Sequence, residues 1–93
     1  MDSQPTLLTL NKRIDISEIS DLMASLDTLP IQGEEQHINA SNITHLDSSS
    51  CQVLISYMAR LKNHNSTLII DQPSEKFLAV SRQLGFAHYF NFS

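Results

Sequence analysis

Ninety-three residues, 41% hydrophobic and 17% charged, suffice for one small domain, 1–93, around a single modest core and are too few for two. A net charge of −4 with six scattered basic residues excludes the concentrated basic face that nucleic-acid phosphates require. No apolar run reaches bilayer length and the polar start Met1-Asp2-Ser3-Gln4-Pro5 is no secretory signal, so a cytoplasmic protein without membrane insertion is expected.

Taken in order, Thr6-Leu7-Leu8-Thr9-Leu10 reads as a first strand, with Leu8 and Leu10 on one face and Leu7 on the other. Asp15 or Ser17 can cap a helix over about 17–27, with Glu18 in capping-box register to Asp15. Ile19, Leu22, Met23 and Leu26 supply its buried stripe, and Leu29-Pro30 ends it. After a solvated loop at Gln32-Gly33-Glu34-Glu35, the alternation of Gln36-His37-Ile38-Asn39-Ala40 predicts a second strand. A turn from Ser41 to His45 follows, with Ile43 and Leu46 pointing inward.

The next stretch organises the chain. Asp47, Ser48 and Ser49 are all good N-cap types, and they lead into a helix over about 49–62 whose inner face reads Cys51, Leu54, Ile55, Met58 and Leu61. Cys51 reads as a small core residue rather than a reactive thiol, which suits a reducing compartment. The three hydroxyls admit two readings. One is an ordinary cap followed by a polar turn. The other is a switch, because a helix N-terminus carries free N–H donors and partial positive charge, so a phosphate on Ser48 or Ser49 would be stabilised there.

Thr67-Leu68-Ile69-Ile70-Asp71 is apolar on both faces, as a covered strand is, and the helix before it acts as a crossover that makes it parallel to the second strand. Pro73 and Ser74 open a last helix with Phe77, Leu78, Val80, Ser81 and Leu84 on its face, and Gly85 closes it at the C′ position. Phe86, Tyr89 and Phe90 fold back as a short strand or an added turn. Strand and helix alternate throughout, which defines an α/β unit with helices packed on a small sheet.

The segment Leu46-Asp47-Ser48-Ser49-Ser50-Cys51 resembles the apolar-x-Asp-Ser/Thr-Ser/Ala-Gly segment of the STAS family, the fold of bacterial anti-sigma-factor antagonists. Asp71-Gln72-Pro73-Ser74 and Leu84-Gly85-Phe86 look like the closing strand, Ser-Pro turn and Leu-Gly-Leu/Phe ending of that family. The resemblance runs from about Leu7 to Phe90 and implies parallel core strands with about three to four packed helices. It also implies that Ser48, directly after the motif Asp, is the residue a partner kinase would phosphorylate, with Ser49 second. Asp47 would hold the switch loop, which comprises Asp47, Ser48, Ser49 and Ser50, and Gln52, Ser56 and Tyr57 would form the docking face. Ser50 stands where the family usually has Gly, so the loop must either avoid positive φ or strain to reach it. Asn39 stands where many members have Asp.

Two roles follow from the resemblance. The first is a signalling adaptor whose partner is a serine kinase, an anti-sigma factor or a chemotaxis component. The second is a constitutive cytoplasmic subunit bound to the ATPase of a phospholipid transporter, where Ser48 only makes interface hydrogen bonds. An enzyme is not expected: His45, Asp47 and Ser48 are too close in sequence for a triad, and no Gly-x-Ser-x-Gly elbow exposes the serine. Nor is a metal or other cofactor, because His45, Asp47 and His37 lack a second close pair of ligands and no Gly-rich loop opens a helix.

Overall fold

The computed structural model describes residues 6–31 and 33–93; the polar start at 1–5 and Gln32 of the solvated loop lie outside the described residues. Strand β1 (Thr6–Thr9) leads through a 3₁₀ turn (Ile16–Glu18) into α1 (Ile19–Asp27). Then come β2 (Glu35–Asn39), α2 (Ser48–Lys62), β3 (Thr67–Asp71), α3 (Glu75–Gln83), a second 3₁₀ turn (Ala87–Tyr89) and β4 (Asn91–Phe92). All strand pairs are parallel, and the sheet order is β1-β2-β3-β4. This is the expected α/β architecture, extended by β4, which resolves the fold-back of the C-terminal aromatics into a turn and a short strand.

Period-2 alternation divides the sheet into two unlike faces. Gln36, Ile38 and Ala40 of β2 and its extension lie level with Leu68 and Ile70 of β3, and all are buried. They form one core with Leu22 and Leu26 of α1, Cys51, Leu54 and Leu61 of α2, and Phe77 of α3. The opposite face carries His37, Asn39, Ile69 and Asp71, which are only half-buried.

Caps fall largely where the residue types place them. Asp15 accepts from the Ser17 amide and so caps the 3₁₀ turn rather than the α-helix, which starts later than expected, at Ile19. The Ser17 hydroxyl bond and the Arg13 guanidinium hold the Asp15 carboxyl below its usual pKa. Ser74 accepts from the Phe77 amide, and Gly85, at φ 83°, closes α3.

In α1 and α3, two apolar positions of the expected stripes are exposed. Met23 is 49% exposed, because the nine-residue α1 buries a single ridge, Leu22 and Leu26, and turns Met23 toward α2. Leu84 is 43% exposed because it is the C-cap of α3, past the last turn that faces the core.

Candidate functional site

The site is built from three loops that meet where α2 begins. Residues 12–16 run beside 44–47: Thr44 and His45 amides donate to the Lys12 carbonyl (2.8 and 3.1 Å), and the Ile14 amide donates to the His45 carbonyl (2.9 Å). From the other side Ser74 ties in the start of α3, its amide donating to the Ala40 carbonyl (3.0 Å) and its hydroxyl to the Ile43 carbonyl (2.7 Å).

Asp47 is the joint of this assembly. One carboxylate oxygen accepts from the Ser50 amide (3.2 Å) and caps α2, while the other accepts from the Ile16 amide (2.9 Å), 31 positions earlier in the chain. Ser50 returns the bond: its hydroxyl accepts from the Asp47 amide (3.1 Å) and donates to the Asp47 carbonyl (3.0 Å). This reciprocal pair is a capping box with Ser in the place of Glu or Gln. It answers the question posed by Ser50 standing at a Gly position. Ser50 is the third residue of α2, fully buried and outside the positive-φ region, so the loop avoids positive φ rather than straining to reach it.

Ser50→Gly is therefore expected to destabilise the protein by about 1–2 kcal/mol, since it removes half of the box and places Gly in a helical turn. A lowered urea midpoint at unchanged slope would verify it, and an unaltered midpoint would show that the hydroxyl contributes nothing.

The other two serines are placed differently. Ser48 is exposed and Ser49 half-buried, and their amides, the first two of α2, find no acceptor among the described residues. Ser48, Gln52 and Ser56 fall at i, i+4 and i+8 and form one exposed ridge along α2. Beside that ridge runs a groove of about 490 Å³ between α1 and α2, walled by Ile19, Met23, Val53 and Tyr57 and lined further by Ser49 and Arg60. At the mouth of the site Ile16 is 63% exposed.

Tyr57 corrects the expected docking face. It is only 3% exposed, because it lies at i+3 from Leu54 and i−4 from Leu61 on the inward stripe of α2. Ile55 and Met58, assigned to that stripe from the sequence, are only partly buried. Burial raises the Tyr57 phenol pKa, with the Arg60 guanidinium, 5.2 Å from the ring centroid, acting against the rise. The sequence signal for Tyr57 was its spacing from Leu54 and Leu61, which its polar tip obscured. Cys51 is fully buried; burial, then the Asp47 charge, push its thiol up to about 11, so it stays protonated at neutral pH.

The Asp47 carboxylate bonds two backbone amides and no imidazole, and the His45 ring meets the Thr44 hydroxyl instead (2.9 Å). Among the described residues no cluster of three or more His, Cys, Asp or Glu is placed to hold a metal ion, and no helix is long and apolar enough to cross a membrane.

A four-stranded parallel sheet, a capped helix with an exposed hydroxyl at its head and a groove along its side together define a small α/β module. Residues 1–91 match the family model described as "Mlab, STAS domain", and the chain belongs to the STAS domain family. Domains of this family are generally non-enzymatic and mediate protein–protein interactions. No curated protein matches the chain.

Proposed function

We propose that this protein is a non-catalytic, phosphorylation-controlled binding module of the bacterial cytoplasm, in which the whole chain is one STAS-like domain and Ser48 is the phosphoacceptor. The observation that carries the reading is the position of Ser48: exposed, at the first turn of α2, beside two amides that find no acceptor among the described residues, and at the head of the Ser48–Gln52–Ser56 ridge. A phosphoryl group there adds roughly two negative charges. Those amides and the helix dipole accommodate that charge within the protein, whereas a partner packed on the ridge must bury it. Ser49, half-buried against the groove, is the less accessible acceptor. Partners of the fitting kind are a serine kinase, an anti-sigma factor or a chemotaxis component.

A second reading has its own support. The capping box and the bonds linking residues 12–16 to 44–47 organise this surface without any modification, as a permanent interface requires. The module would then be a constitutive subunit of a phospholipid-transport ABC complex, resting on its ATPase, with Ser48 as a hydrogen-bonding contact.

Affinity capture from the native cell's lysate with wild type, Ser48→Ala and Ser48→Glu separates the two. A partner kept by wild type and Ala but released by Glu is the expected result. Loss with both substitutions would favour the constitutive contact, and equal retention by all three would remove Ser48 from the interface.

A further inference from the structure

On the sheet face opposite the core, His37 is held by two carboxylates. Its Nδ1 lies 2.8 Å from an Asp71 oxygen and its Nε2 lies 3.0 Å from a Glu35 oxygen. The imidazole side chain is 12% exposed and that of Asp71 18%, while Glu35 stands at the surface at 49%. Glu35 and His37 belong to β2 and Asp71 ends β3, so the arrangement ties two strands through side chains.

Ionised carboxylates can only accept hydrogen bonds, and a neutral imidazole has one N–H to give. Both contacts are satisfied together only when both ring nitrogens carry protons. Loss of one proton turns one contact into a nitrogen lone pair facing a carboxylate oxygen, and leaves two negative charges flanking a neutral ring. A metal ion does not substitute for the proton, because the carboxylates approach opposite ring nitrogens and do not converge on a common point.

Among the described residues, the strands around His37 supply no other ionic group. On β1, the neighbour of β2, Thr6 lies opposite His37 and the strand reads Thr-Leu-Leu-Thr, without a titratable side chain. On β3 the residue opposite His37 is Ile69, and Asp71 is that strand's only charge. On β2 itself the only other charge is Glu35. Beyond β3, β4 places Asn91 opposite Ile69.

We propose that His37, gripped at both ring nitrogens by Glu35 and Asp71, is a proton-operated clasp between β2 and β3, closed when the ring is an imidazolium and released as the pH rises. The clasp fastens the end of the sheet from which the loops before α2 and α3 depart, since the Asp71 carbonyl also accepts from the Ala40 amide (3.0 Å).

Burial alone would push the imidazole down, but hydrogen bonds to Glu35 and Asp71, and then their charges, carry its pKa above the ordinary value of 6.5. The sign follows by linkage. A folded-state pKa raised above the unfolded value contributes stability that is fully present below about pH 6.5 and is lost as pH rises through the folded-state value.

Two measurements test this: the ring titration of His37 by NMR, and urea midpoints from about pH 5.5 to about pH 9, for wild type, His37→Gln, Asp71→Asn and Glu35→Gln. In wild type His37 should titrate above about 6.5 with two ring N–H protons present in its acidic form, and Asp71→Asn should lower that titration. The wild-type midpoint should fall as the ring deprotonates, and His37→Gln should lack that fall. Glu35→Gln alters an exposed side chain and keeps the test open if Asp71→Asn does not fold; it too should lower the titration. A wild-type His37 titrating at or below about 6.5, or an undiminished fall in His37→Gln, overturns the clasp.

Discussion

Phe77→Ala should cost about 3–5 kcal/mol, which is most of the stability available to many domains of this size. Phe77 is fully buried and is the one large side chain that α3 buries completely; the other fully buried residue of that helix is Ser81. Its ring lies 5.5 Å from that of Phe90 at a tilt and 6.0 Å from that of Phe92 edge-on. Removing it therefore opens a cavity and also takes away the surface on which β4 rests. A strand of two residues rests on few contacts: the ladder to Ile69 and Ile70, the Asn91 side-chain amide donating to the Leu68 carbonyl (3.2 Å) and these aromatic rings. Urea denaturation should show the loss in the global midpoint. Hydrogen exchange should show protection lost first at Asn91–Phe92, ahead of β2 and β3. A variant with wild-type stability, or one that loses protection uniformly, would mean that α3 and β4 are held by other contacts.

Asp47→Ala is expected to cost about 2–3 kcal/mol, more than an ordinary cap deletion at about 1 kcal/mol. The excess comes from the second carboxylate oxygen, which holds the Ile16 amide while the first caps α2. Asp47→Asn keeps one side-chain oxygen and can serve one of those amides, so it should fall between alanine and wild type. Denaturation midpoints give the energies, and the exchange rate of the Ile16 amide reports the second bond directly. Equal losses for Ala and Asn, with Ile16 exchange unchanged, would reduce Asp47 to a simple cap. The bond also bears on binding. Ile16 is exposed beside the serines, and Asp47 is the side chain that bonds its backbone there, so partner affinity should weaken in both variants even where the fold survives.

What the sequence revealed, and what it hid, divides along physical lines. Local chemistry was legible. Ser74 before Phe77, Gly85 after α3 and Asp47 before α2 mark helix ends because caps use partners within a few residues. The β-branched run at Thr67–Asp71 was likewise readable, and its parallel pairing with β2 followed from the crossover. The stripe of α2 is legible at Cys51, Leu54 and Leu61, whereas Ile55 and Met58 are only partly buried against it, because a helix with apolar residues on adjoining ridges leaves its exact rotation undetermined. Tyr57 then fell on the wrong side. The bonds from Asp47 to Ile16 and from His37 to Asp71 span 31 and 34 positions, and no periodicity encodes contacts of that length. β4 was visible only as an apolar tail, for two residues carry no alternation to detect.

The strand order has a bearing on how such a chain is made. Each strand pairs with its immediate predecessor in the sequence, β1 with β2, β2 with β3 and β3 with β4. A polypeptide leaving the ribosome can therefore add each βα unit to the edge of what has already assembled, and no later strand has to wedge open an earlier pair. Until β4 arrives, the growing edge is β3, the most apolar strand. Synthesis rate and assembly can thus run in step, with the aromatic tail as the final latch.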